Sequence, residues 1–164
     1  MRFMSIDLGN KRTGIAVGDD QTWLVSPICT LDTPIAQGSG NALLNEIERT
    51  IWEHLVREDE LVFGLPINMD DTESHQSKIV RAFADRLRSR TNRTVHFQDE
   101  RLTTAQADWQ MSMTGMTRDE KKAKRDSLAA ANILRDFLEQ RRRAILGADN
   151  PIEDQDPADP PFQQ

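Results

Sequence analysis

The sequence predicts an α/β domain built on a mixed five-stranded sheet, a three-strand meander plus two further strands, flanked by helices. Three observations predict it. Short apolar runs joined by a tight turn open the chain, helical and strand-type apolar runs then alternate, and a long amphipathic stretch closes the pattern. Arg2 to Leu8 reads as a strand, with Phe3, Met4, Ile6 and Leu8 apolar and Gly9 ending it. Gly9-Asn-Lys-Arg12 is a turn, and Gly14 to Val17 pairs back as a hairpin. Leu24 to Leu31 makes a third strand, followed by a loop over residues 34–40. Leu43, Leu44, Ile47, Ile51 and Leu55 keep helical spacing, which predicts a helix from about 41 to 58. The continuous apolar run Leu61 to Leu65 suits a central strand covered on both faces. Asp70 to Thr72 offer a cap for a helix whose stripe is Ile79, Val80, Phe83 and Leu87. Thr94 to Gln98 is a further strand. Thr103 with Gln106 and Thr117 with Glu120 have capping-box spacing, predicting a short helix and then a longer one to about Arg142. Residues 147–164 are rich in Pro and Asp and poor in large apolar side chains, so they read as a disordered acidic tail after a domain over 1–146.

At 164 residues the chain suffices for one domain with its own core. Its single cysteine, Cys29, forbids an internal disulfide and a Cys2His2-type zinc site, and its apolar surroundings suggest a small core residue. No apolar run is long enough to span a membrane and no signal-peptide pattern opens the chain, so a cytoplasmic protein is expected. The net charge of −6 argues at first against a nucleic-acid partner. Five of the acidic residues, and no basic ones, lie from Asp149 onward; the remainder carries 21 basic against 22 acidic. Arg118 to Arg143 holds nine Lys or Arg and five Asp or Glu, a cluster suited to phosphate.

Three acidic positions stand at element ends. Asp7 closes an apolar strand, where a carboxylate is costly unless it is paired or binds a cation. The alternative is a turn aspartate bonded to the amides of Gly9 and Asn10. Asp99 and Glu100 end the strand at 94–98, where α/β sheets open onto their ligand crevice. Adjacent residues point to opposite faces, so only one of the two can share a site with Asp7. Asp126 continues the stripe of Ala130, Ile133 and Phe137 one turn earlier, which aims it at the sheet. A metal shared with Asp7 would compensate its charge; an ion pair with a buried arginine is the alternative. Hard oxygen donors favour Mg²⁺ or Mn²⁺, and two such ions suit in-line phosphoryl displacement.

Four segments together resemble the YqgF family: Asp7-Leu-Gly-Asn-Lys-Arg-Thr-Gly-Ile-Ala-Val17, Gly64-Leu-Pro-Ile-Asn-Met69, Asp99-Glu-Arg-Leu-Thr-Thr104 and Asp126-Ser-Leu-Ala-Ala-Ala-Asn-Ile-Leu134. Members of that family carry the description "putative pre-16S rRNA nuclease" and are also known as Holliday-junction-resolvase-like proteins. The resemblance runs from about Arg2 to Gln140. It implies an RNase H-like fold and a metal-dependent nuclease that matures the 5′ end of small-subunit rRNA. It also implies Asp7, Glu100 and Asp126 as catalytic metal ligands, with Asp99 competing for the place of Glu100. One departure is Met69-Asp-Asp-Thr72 where the family usually has Met-Asp-Gly, so Asp71 is expected to tolerate a left-handed backbone and to add charge near a phosphate path.

Lys11 and Arg12 follow Asp7, Arg101 follows the second acidic site, and Arg118, Lys121, Lys122, Lys124 and Arg125 lead into Asp126. All are candidate phosphate contacts, with a solvated helix face as the alternative for each lysine. With three Trp, six Phe and no Tyr, no row of stacking residues is evident, and Trp52 and Trp109 are read as core. His54, His75 and His96 lack metal-ligand spacing, and His75 is read as a surface residue. The leading reading is a nuclease on structured RNA, a ribosomal precursor among the candidates. A Holliday junction resolvase on branched DNA requires two sites about a two-fold axis, so monomer and homodimer both remain open. A non-catalytic binder in transcription or ribosome assembly is a third reading, and a fourth comes from the Asp7-Leu-Gly9 turn, which resembles the phosphate loop of actin-like ATPases, enzymes that need two such domains.

Overall fold

The structure is a computed structural model that describes residues 1–68, 73–100 and 118–148, with the side chains of 118–123 and 148 excepted. Five strands, β1 (Arg2–Leu8), β2 (Thr13–Asp19), β3 (Val25–Leu31), β4 (Glu60–Leu65) and β5 (Val95–Asp99), form one sheet in the order β3-β2-β1-β4-β5. β1 pairs antiparallel with β2 and β2 with β3, whereas β4 runs parallel to both β1 and β5. This is the mixed five-stranded α/β sheet the sequence predicts, a three-strand antiparallel meander extended by two parallel strands. The described α-helices are α1 (Asn41–His54), α2 (His75–Thr91) and α3 (Arg118–Ala148).

Strand alternation divides the core between the two faces. Met4, Ile6, Leu8, Ile15, Leu61, Phe63 and Leu65 face α1 and α2, which contribute Leu43, Leu44, Ile47, Ile51, Val80, Phe83 and Leu87. Phe3 and Val62 on the other face pack against Ile133, Leu134 and Leu138 of α3. β2 presents Gly14, Ala16 and Gly18 to α3, and Ala16 meets Ala130 and Ala131. With side chains this small, the helix backbone comes down onto the strand. Buried Ser5 ties the layers together by donating its hydroxyl to the Ala130 carbonyl at 2.6 Å. Farther along α3, Arg141 reaches Asp20 at 3.1 Å and lies over the Phe3 ring, and Asp20 also accepts from the N-terminal ammonium at 2.8 Å.

Several boundaries differ from those predicted. α1 stops at His54 rather than near 58, because Leu55 adopts an extended backbone. α2 is capped by Ser74, not by a residue of 70–72: its Oγ accepts the Ser77 N–H at 2.9 Å and donates to the Pro66 carbonyl at 2.8 Å. Replacing Ser74 with alanine is expected to cost about 1 kcal/mol, read as a lower urea midpoint. α3 continues to Ala148, past the predicted end near Arg142. Trp52 is not core: it is 57% exposed, because Leu43, Leu44, Ile47 and Ile51 already fill the inner face of α1. Its ring covers buried Arg93, whose Nη1 donates to the carbonyls of Val56, Arg57 and Asp59. Cys29 is half-buried against the core at β3, an outer strand of the sheet. The helix predicted after Thr103, both capping boxes, Trp109, Asp71 and the tail from Asp149 lie outside the described residues. Among the described residues no helix is long and apolar enough to cross a membrane.

Candidate active site

Asp7 stands next to last in β1, opposite Gly14 of β2. Alternation places it on the same face as Phe3 and Ser5, so it looks toward α3. Leaving the strand early is not open to it, because the Gly9–Arg12 turn follows at once, closed by the Gly9 N–H donating to the Arg12 carbonyl at 3.1 Å.

Asp126 arrives from the other side. A Cβ built on Gly14 would overlap the carbonyl oxygen of Asp126 and lie 2.9 Å from the Ser127 nitrogen. The missing side chain of Gly14 therefore lets the first described turns of α3 settle on β2 beside Asp7. Burial pushes the Asp7 carboxyl up to about 6, and the charge of Asp126 adds to the rise.

The two residues at the end of β5 separate. Asp99 pairs in register with Leu65, whose side chain belongs to the α1/α2 face. Glu100 follows the strand and lies on the α3 face, over Gly64: a Cβ there would collide with its Oε1 and with Ile133. Burial raises the Glu100 carboxyl to about 7, helped by the charges of Asp7 and then Asp99. Asp7, Glu100 and Asp126 thus face one region between the sheet and α3, and Asp99 starts from the opposite face.

The raised values set a pH dependence. Folded Asp7 and Glu100 hold protons that the unfolded chain has already lost, at 3.8 and 4.5 respectively. Their contribution to stability is greatest below pH 4 and is lost as pH rises through 6 to 7. With chelator present, the Asp7→Asn protein is expected to show a smaller fall in urea midpoint between pH 4 and 7 than the wild type. The difference for Asp7 is on the order of 2 kcal/mol.

Arg12, at the end of the turn, puts its Nε 2.9 Å from Asp126 Oδ2. The contact is one of charge rather than of direction, since this buried oxygen has no aligned hydrogen-bond donor among the described residues. An arginine partner for Asp126 is thus present, but it is 30% exposed rather than buried. Lys11 is exposed on the same turn, and Lys124 and Arg125 are exposed on α3 just before Asp126. The side chains of Arg118, Lys121 and Lys122, and all of Arg101, lie outside the described residues. His75 is exposed at the start of α2, and His96 is engaged with Glu60 at 2.7 Å. Gly14 and Gly64, which make room for Asp126 and Glu100, carry no chemistry of their own. Their only sequence signal was their place in the first two motif segments.

Among the described residues no three acidic, His or Cys side chains are gathered closely enough to hold a metal ion as they stand. The donor set nevertheless suits a hard cation. All three groups are carboxylates, Asp7 feels the charge of Asp126 and Glu100 that of Asp7, and Asp126 keeps a buried oxygen that no described residue hydrogen-bonds. Asp7 and Asp126 are the pair that would share such an ion, with Glu100 closing from β5.

The family described as "RuvX: Holliday junction resolvase" matches residues 1–140. A protein of Lachnospira eligens named "Putative pre-16S rRNA nuclease" is 37% identical over 146 residues, covering 87% of this chain and all of that protein. One of Legionella pneumophila with the same name is 36% identical, covering 84% of this chain and 95% of its own length. Among solved structures, T. thermophilus RuvC in complex with a Holliday junction substrate aligns at TM-score 0.47 and 13% identity, over 87% of this chain and 96% of that one. The family match across residues 1–140, with relatives above one-third identity over nearly their whole length, establishes that this chain belongs to the RuvX family.

Proposed function

We propose that the protein is a metal-dependent nuclease that hydrolyses phosphodiester bonds in structured RNA and trims the 5′ end of pre-16S rRNA. Membership of the family, with relatives named as nucleases, makes it a hydrolase acting on nucleic acid. The observation that carries the chemistry is the convergence of Asp7, Glu100 and Asp126 beside Arg12, four charged groups from three separate parts of the chain. Asp7, Asp126 and Glu100 would hold Mg²⁺ or Mn²⁺, which when bound polarises the phosphate and activates a water. The neighbouring residues orient the polyanion. Lys11, Lys124 and Arg125 present positive charge at the rim, and the Arg12 guanidinium is shaped for two phosphate oxygens. Burial leaves the Glu100 carboxyl near 7 while no cation is present, and a bound cation would draw it into the carboxylate form that a ligand needs. On this reading the protein works in the cytoplasm, where it would meet a ribosomal precursor.

The test is cleavage of an end-labelled pre-16S 5′ leader with Mg²⁺ or Mn²⁺ by the wild type, Asp7→Asn and Asp126→Asn. Equal rates in all three would overturn the assignment of the carboxylates. The family's description favours a second reading, resolution of four-way DNA junctions. It requires two sites per junction, hence a homodimer. A protein that stays monomeric when titrated onto a four-way junction, by light scattering, excludes it.

A further inference from the structure

The Arg12–Asp126 contact places a positive side chain against one of the oxygens that a metal ion would need. Neither group is locked in place. Their side chains are 30% and 23% exposed, and the pair lacks the aligned N–H that makes arginine–carboxylate pairs strong. A partly exposed, poorly directed pair of this kind is weak enough to exchange. The backbone beneath is held more firmly: the Gly9 N–H donates to the Arg12 carbonyl at 3.1 Å, and the Ile35 N–H donates to the Asn10 carbonyl at 3.2 Å. A Cβ at Gly9 would run into that same Arg12 carbonyl, at 2.5 Å. The side chain can therefore swing while its anchor stays fixed.

We infer that Arg12 is an exchangeable counter-ion: it neutralises Asp126 while no divalent cation is bound, and a cation displaces it toward a phosphate of the substrate. Two positive charges cannot share one carboxylate oxygen without repulsion, so cation and guanidinium compete for Asp126. A nucleic-acid phosphate gives the displaced guanidinium a new bidentate partner close by. Cation and nucleic acid then favour one another, and by linkage each raises the affinity of the other. Arg12 acts here as a positioning residue. The inference rests on the metal-nuclease reading and adds that the two binding events are coupled through one side chain.

The experiment measures Mn²⁺ binding to the full chain by calorimetry, with no nucleic acid present, for the wild type, Arg12→Gln and Arg12→Lys. Arg12→Gln is expected to bind Mn²⁺ more tightly, on the order of tenfold, while Arg12→Lys keeps the charge and stays near the wild type. In a second arm, Ca²⁺ replaces Mn²⁺ and binding of a fluorescent RNA hairpin is followed by anisotropy. Saturating Ca²⁺ is expected to tighten hairpin binding by the wild type severalfold and by Arg12→Gln much less. If Arg12→Gln binds Mn²⁺ no more tightly than the wild type, the counter-ion role is overturned and the metal-nuclease reading stands. If neither protein binds Mn²⁺, both fall. A hairpin affinity that Ca²⁺ changes equally in both proteins overturns the coupling.

Discussion

Asp7→Asn and Asp126→Asn proteins are expected to lose cleavage by a factor on the order of 100 or more, since disturbing the groups behind a metal ligand already costs 10- to 100-fold. The two variants part company in stability. Asp7 is partly buried among strand residues with its carboxyl raised to about 6, so at pH 7 without metal it is charged in a place that disfavours charge. Asparagine keeps the shape and removes that penalty, and the metal-free Asp7→Asn protein is expected to unfold at a higher urea concentration than the wild type. Asp126→Asn instead gives up the contact with Arg12, a partly exposed and poorly aligned pair worth about 0–1 kcal/mol, and is expected to be neutral or slightly less stable. Added Mn²⁺ is expected to raise the unfolding midpoint of the wild type and of neither variant. Loss of activity combined with a gain in metal-free stability is the signature of a carboxylate held for function. A carboxylate held for structure would lose stability on the same change.

Gly14→Ala is expected to be the most destabilising single-methyl change at the site, by about 3 kcal/mol or more, in the range of forced overpacking. The added carbon would overlap the backbone of Asp126, so no rotamer change relieves it. α3 must lift from β2, and Ala16, Ala130 and Ala131 lose contact with it. Asp126 is carried away from Asp7 by the same movement, so the fraction that remains folded is expected to bind Mn²⁺ poorly. Gly64→Ala is a useful contrast. Its added carbon meets the ends of two side chains, Glu100 and Ile133, which can turn aside. A smaller loss of stability is expected there, with Glu100 displaced. Denaturant midpoints of the two alanine variants, measured together, check the ranking.

Much of the fold was legible because local pattern and global layout agree. The hairpin at Gly9–Arg12, the amphipathic spacing of Leu43 to Ile51 and the continuous run Leu61 to Leu65 each have one economical structure, and each takes it. Where a side chain had two ways to be satisfied, local pattern misled. Trp52 reads as core by composition, yet α1 has no room left on its inner face and the ring lies outside over Arg93. The cap of α2 reads as Asp70 to Thr72, yet Ser74 serves because it also ties down the Pro66 carbonyl eight residues before it.

By itself the sequence determined the order of elements, which faces are apolar, and which carboxylates end strands or continue a helix stripe. Those properties depend on neighbours within a few residues. Only the tertiary structure decided that Glu100 rather than Asp99 shares a face with Asp7, that glycines at 14 and 64 clear the space between sheet and α3, and that Arg12 rests on Asp126. The physical reason is that each depends on strand register and on the closeness of two backbones far apart in the chain. Steric fit across the sheet sets both, and no local pattern encodes it.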